Sequence, residues 1–189
     1  MIKPLAYNIV SPLGFSTQDN YAAVRRGESG VVPWHDPAGT PVAQSRLDND
    51  KLQDAFEKQC KPSQKYTKPE QAMLLSASLA VAEAGIDPAS ARTGFVLSST
   101  KGNIELLGTP DHGFGRDRIH LWHTAGLLAA WFNNQNLPLT VTNACISGAV
   151  AQIAALKMLE NGIYDHVVVT GVDMASDFIV AGFQSFKSL

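Results

Sequence analysis

The stretch TVTNACISGAV, residues 140–150, sets one of the chain's two cysteines between a β-branched run and a series of very small residues. That composition reads as a strand running into a helix, with Cys145 at the junction. A thiol at a helix N-terminus faces backbone N–H groups that have no intrahelical acceptor, and it faces the positive end of the helix dipole. Both favour the thiolate, which is the nucleophilic form. Burial works in the opposite direction, and free cysteine is among the most buried residue types. By position alone Cys145 is read equally well as a nucleophile and as a small core residue.

The other reactive side chains offer less. His120 and His123 are spaced i, i+3 on a predicted helix, which is half of a metal site, but no third ligand accompanies them and they read as a solvated helix face. His112 lies in the turn-rich DHGFG, His166 opens a predicted strand beside Asp165, and His35 sits in a polar loop. Cys60, in a Lys-, Gln- and Pro-rich stretch, reads as an incidental surface or loop thiol, and a disulfide with Cys145 is not expected in a reducing compartment. GFGRD and TKGN lack the flanking strand, glycine pattern and downstream acid of a dinucleotide site. There is no phosphate-loop motif and no Gly-x-Ser-x-Gly elbow. Neither a cofactor nor a metal is expected.

The elements that must position Cys145 follow from the pattern. Residues 4–10 are predicted as a first strand, and SPLG turns the chain into a helix capped by Ser16, with Asp19 in capping-box spacing and a stop before Gly27. The polar stretch from Gly27 to Tyr66 reads as loops with short irregular elements. A helix from Pro69 to a Gly85 stop, a strand at 93–99, and a helix within IHLWHTAGLLAAWFNNQN follow. A strand at 139–142, a helix at 147–161 and a strand at 166–170 complete an alternating α/β pattern, which implies a layered fold with a mostly parallel, buried sheet.

Composition sets the bounds. With 189 residues, 45% of them hydrophobic and 17% charged, the chain can bury a full core as one domain or one large lobe. A net charge of −2 gives no basic excess for nucleic acid or an anionic membrane. The N-terminus lacks a signal-peptide pattern, and AGLLAAWF is too short to span a bilayer, so a cytoplasmic location is expected.

The wider wording around Cys145, TVTNACISGAVAQIAALKMLENGIYDHVVVTGVD, resembles the nucleophile segment of β-ketoacyl-acyl carrier protein synthases, condensing enzymes of the thiolase superfamily. The matching residues are Thr142, Ala144, Cys145, Ser147, Gly148, Gly171, Val172 and Asp173. VSPLGFSTQDNYAAVRRGESGV is similar to the family's opening strand, turn and first helix, and TGFVLSSTKGN to its second strand and glycine loop. FIVAGFQSFKSL is similar to the segment that closes the family's N-terminal half. Two places depart from the pattern: Ile146 stands where the family more often has a smaller residue, and the connection from Gly102 to Ile119 is short.

The resemblance implies the N-terminal half of a layered thiolase-like α/β fold, with a mostly parallel mixed sheet and a buried nucleophile helix. Residues 1–189 would be the N-terminal β-ketoacyl synthase domain and the C-terminal half would be absent. Cys145 would accept an acyl group from an acyl carrier protein thioester, its backbone N–H would hold part of the oxyanion, and the acyl-enzyme would condense with the carbanion from a decarboxylated malonyl thioester. This is acyltransferase chemistry of fatty-acid or polyketide-type synthesis. The family's two histidines and second oxyanion donor belong to its second half, and the contexts of the five histidines here match neither. The chain is therefore expected to be inactive alone, and to form a homodimer or a ketosynthase-like heterodimer. Two alternatives remain: a non-catalytic partner subunit of the chain-length-factor kind, against which Cys145 argues, and an unrelated cysteine enzyme using a local histidine base.

Overall fold

The computed structural model describes residues 1–36, 38–109 and 111–188. Leu189, which closes FIVAGFQSFKSL, lies outside them. Among the described residues the main sheet has three parallel strands in the order β4–β3–β5: β3 is Thr93–Ser98, β4 Leu139–Val141 and β5 His166–Gly171. A separate antiparallel hairpin joins β1 (Val32–His35) to β2 (Pro41–Gln44).

The period of two along a strand divides the core. Phe95 and Leu97 of β3 and Val168 of β5 point into a cluster with Leu52, Phe56, Met73, Leu74 and Leu128. Val96, Val167 and Val169 point the other way, onto Ala151 and Ala155. Helices α3 (Lys68–Ala84) and α4 (Leu121–Trp131) cover the first face and α5 (Ser147–Glu160) covers the second, giving three layers. This is the layered α/β arrangement that the alternation predicts, with boundaries within a residue or two. Close approach is built in at Gly94, where a Cβ would stand 2.4 Å from the Tyr164 ring.

Local chemistry sets the helix ends. In α1 (Thr17–Arg25) Ser16 accepts the Asp19 N–H at 3.1 Å and donates to its carboxylate at 2.7 Å. Helix α3 opens on a capping box between Thr67 and Glu70, and it closes at Gly85, whose φ of 64° suits glycine. The last helix, α6 (Asp177–Ser185), is capped by Ser176.

Three expectations are corrected. Residues 4–10 form no strand. Their burial does alternate, with Ala6, Asn8 and Val10 half-buried and Leu5, Tyr7 and Ile9 exposed. Their carbonyls, however, accept from side chains instead of a neighbouring strand: Tyr7 from Thr17, Asn8 from Ser76, and Ile9 from Asn20. Residues 27–66 hold more order than their polarity suggests, because a 12-residue helix, α2 (Asn49–Cys60), lies within them. Its apolar stripe is narrow, Leu52, Ala55, Phe56 and Cys60, and suffices because Phe56 packs against Tyr66 and Trp131 with ring centres 5.6 and 5.9 Å away. Cys60 is accordingly the half-buried last residue of that helix and not a loop thiol.

One buried charge ties the loop after β3 to the start of α3. Glu70 is fully buried. It accepts from Arg118 at 2.7 and 2.8 Å, from the Asn103 amide at 2.9 Å and from the Thr67 N–H at 2.9 Å. The Arg118 guanidinium lies 5.7 Å from the Tyr66 ring centre and 5.2 Å from that of Phe114. Removing one partner of such a pair leaves an uncompensated charge, so Arg118→Ala is expected to lower the unfolding free energy by about 3–5 kcal/mol. Urea denaturation checks this, and a loss below about 1 kcal/mol would mean that the neutral donors alone satisfy Glu70.

Candidate active site

Residues 142–146 turn the chain from β4 into α5, and Cys145 sits in that turn with its side chain exposed. The preceding Ala144 has φ 45°, a left-handed conformation that costs a non-glycine residue on the order of 1–2 kcal/mol. The Ser147 side chain holds it there. Ser147 is 5% exposed, and its hydroxyl accepts the Asn143 N–H at 2.7 Å and donates to the Ala144 carbonyl at 2.8 Å. The Ile146 N–H closes the same turn on the Asn143 carbonyl at 3.1 Å.

Ala144 and Ser147 were matched in the sequence only as letters of a pattern, and their work is visible only in three dimensions. The signal present in the sequence was the start of α5 itself, which has the apolar Ile146 as its N-cap and no side-chain cap, followed at once by a serine.

The strand ends gather other polar groups on the same rim. Ser98 is in register with both Val141 and Gly171, so the three strands finish at one level. Just beyond, the Asp173 carboxylate accepts from the Ser99 hydroxyl at 2.9 Å, the Thr100 N–H at 3.1 Å, the Thr100 hydroxyl at 3.0 Å and the Lys101 ammonium at 3.4 Å. The loop after β3 is thereby tied to the end of β5. In parallel α/β sheets ligands usually bind outside the carboxyl ends of the strands, and Cys145 lies at that end of the sheet here.

Cys145 is exposed and not packed in either apolar cluster. None of the five histidines shares a hydrogen bond with it among the described residues. His112 uses Nδ1 to accept the Phe114 N–H at 3.0 Å, His120 stacks on Trp122 at 5.8 Å, His123 lies on α4, His35 is exposed on β1 and His166 starts β5. A cavity of about 280 Å³ between the start of α3, residues 101–109 and Met174 does not include Cys145. Neither does a trench of about 840 Å³ beside β5.

Helix α5 buries Ser147, Ala151 and Ala155 against the sheet. Its other side is open: Ile146, Ala149, Ile153 and Leu156 form an exposed stripe at spacings of three and four, beginning beside Cys145. Among the described residues, no helix is long and apolar enough to cross a membrane.

Residues 5–189 match the family model of the beta-ketoacyl synthase N-terminal domain. The chain belongs to the β-ketoacyl synthase family. Among solved structures this N-terminal domain is similar to the ishigamide ketosynthase/chain length factor, with a TM-score of 0.72 and 21% identity over 97% of the chain. A ketosynthase from Xenorhabdus doucetiae, solved in complex with its chain length factor, gives 0.71 and 19% over 97%. A beta-ketoacyl synthase from Burkholderia phymatum STM815 gives 0.72 and 16% over 96%. Likeness at this identity speaks to the thiolase-like fold. The ketosynthase N-terminal domain spans about half the length of these structures, 55%, 50% and 49% respectively. No curated protein matches it.

The two thiols of this ketosynthase domain differ in ways that predict their reactivity. Burial pushes the Cys60 thiol up, and a hydrogen bond with Ser78 offsets this only in part. Cys145 is exposed at the start of a helix. At pH 7 iodoacetamide should alkylate Cys145 at least about tenfold faster than Cys60. Peptide mass mapping over time reads the ratio, and equal rates or a Cys60 preference would contradict it.

Proposed function

We propose that this chain is the acyl-accepting lobe of a ketosynthase, with Cys145 as the nucleophile of decarboxylative condensation. The observation that carries the reading is the exposed thiol on a clamped, strained turn leading into α5, on the rim where the parallel strands end. A nucleophile held on a rigid turn keeps its approach to a carbonyl fixed, and the first-turn N–H groups of the helix favour negative charge beside it.

In the proposed cycle the Cys145 thiolate attacks the carbonyl of an acyl carrier protein thioester and expels the carrier's thiolate, leaving an acyl-cysteine. Loss of carbon dioxide from a malonyl thioester gives an enolate. Its carbon attacks the acyl-cysteine carbonyl, the β-ketoacyl thioester forms, and the Cys145 thiolate leaves. A soft sulfur nucleophile suits both halves of this exchange, since it adds to a thioester and then departs without a dedicated base. Oxyanion stabilisation needs preorganised donors, of which the Cys145 backbone N–H is one.

The remaining groups would come from a C-terminal half. The exposed Ile146, Ile153 and Leu156 stripe beside Cys145 supports this, being an apolar helix face of the kind a second layer covers. The Xenorhabdus doucetiae neighbour, solved with its chain length factor, favours a ketosynthase-like partner as the companion subunit, with a homodimer as the alternative assembly. The presence of Cys145 supports the catalytic role for this chain in such a pair.

Missing a second oxyanion donor costs on the order of 100- to 1,000-fold, and groups that act as a unit fail together. The 189-residue chain alone should therefore give no measurable β-ketoacyl product from acyl- and malonyl-carrier substrates. A longer chain supplying both halves should give product and lose it on Cys145→Ala. Product formation by the chain alone, or survival of activity in that variant, would overturn the assignment.

A further inference from the structure

The peptide that joins Ala144 to Cys145 is held from one side. Its carbonyl accepts the Ser147 hydroxyl at 2.8 Å and the Ser147 N–H at 3.3 Å. The same hydroxyl oxygen accepts the Asn143 N–H at 2.7 Å, so the single hydroxyl proton is committed while the oxygen serves a second partner. Ser147 is buried, which shields both bonds from water.

No peptide bond among the described residues is cis, so the Cys145 N–H points opposite to the Ala144 carbonyl. The carbonyl faces Ser147 at the start of α5, and the N–H is directed away from it. Among the described residues that N–H donates to no acceptor. An exposed thiol and a free donor therefore stand on one residue, and the orientation of the donor is set by a neighbouring side chain.

The direction of the Ser147 bonds is informative. A serine that serves its own helix accepts from an N–H two or three residues further along. Ser147 reaches back instead, to residues 143 and 144 on the other side of Cys145. It thereby maintains Ala144 in a left-handed conformation that a non-glycine residue keeps only where its surroundings over-determine it.

We propose that Ser147 is a positioning residue for acyl transfer: by fixing the peptide plane between Ala144 and Cys145 it aims the Cys145 N–H at the carbonyl oxygen of the attacked thioester. This inference rests on the reading of Cys145 as the acyl acceptor. In that step the thiolate sulfur bonds to the carbonyl carbon and the oxygen takes up the negative charge. Collapse of the adduct breaks the bond to the donor sulfur, which leaves as a thiolate. A donor stabilises the oxyanion most when it is aimed before the charge develops. Alkylation by iodoacetamide is the contrast, because the same thiolate displaces iodide and no oxyanion forms. A residue that aims the N–H alters the first reaction and spares the second, whereas a residue that only supports the fold does not separate them.

The test compares both reactions at Cys145 in the 189-residue chain, with hexanoyl-N-acetylcysteamine thioester as the acyl donor and peptide mass mapping over time as the readout. Ser147→Ala should slow acylation at least about tenfold and leave alkylation within about threefold, full loss of one oxyanion donor being on the order of 100- to 1,000-fold. Ser147→Thr keeps the hydroxyl and should acylate within about threefold of the parent chain. Glycine takes a φ of 45° without strain, so the comparison is repeated on an Ala144→Gly background, where the turn folds without its clamp. There Ser147→Ala should again slow acylation at least about tenfold. Equal acylation with and without the hydroxyl would overturn the role of Ser147 and leave Cys145 as the acceptor. So would a fall in alkylation that matches the fall in acylation, or a loss in Ser147→Thr as large as in Ser147→Ala. No acylation of the parent chain, with alkylation intact, would overturn both.

Discussion

Everything at the candidate site depends on the register of β3. All six residues of this strand are buried, and it is hydrogen-bonded on both sides. Because Ser98 stands opposite both Val141 and Gly171, the three strands end together. A slip of one residue would exchange the faces of Phe95, Val96 and Leu97 and pull apart the two apolar layers, so packing holds the register far more firmly than any contact at the rim. The turn bearing Cys145, the loop from Ser99 to Lys101 and the Asp173 carboxylate are brought to one rim by that constraint.

The rim is then stiffened by polar contacts that cost little to make once the register exists. Ser147 clamps the strained turn at Ala144, Asp173 binds the β3 loop with four hydrogen bonds, and Glu70 with Arg118 anchors the far end of the same connection. Strain next to Cys145 is tolerable because the groups around it are already fixed by the sheet. The site is therefore rigid on the side of this chain and open on the other, where the α5 stripe and the trench beside β5 expose apolar surface.

Much of this was legible in the sequence where local signals and global packing agree. The apolar run of β3, the Gly85 stop, the Ser16 cap and the small residues after Cys145 each specify their element by themselves. Helix α2 was not legible, because its narrow apolar stripe gains its stability from Tyr66 beyond the helix end and from Trp131, which is distant in sequence. Residues 4–10 misled in the opposite way: their alternation is that of a strand, but a strand exists only with a neighbour. At the site, the position of Cys145 was readable, whereas the left-handed Ala144 and the Ser147 clamp depend on backbone geometry that no residue type announces.

The central claim is that Cys145 is an acyl acceptor, and the formation of the acyl-cysteine tests it before any condensation is needed. Incubation of the chain with an acyl-carrier thioester, followed by intact-mass analysis and peptide mapping, should show one acyl adduct on the peptide carrying Cys145, removable by hydroxylamine and absent in Cys145→Ala. An unmodified Cys145, or an adduct confined to Cys60, would contradict the account.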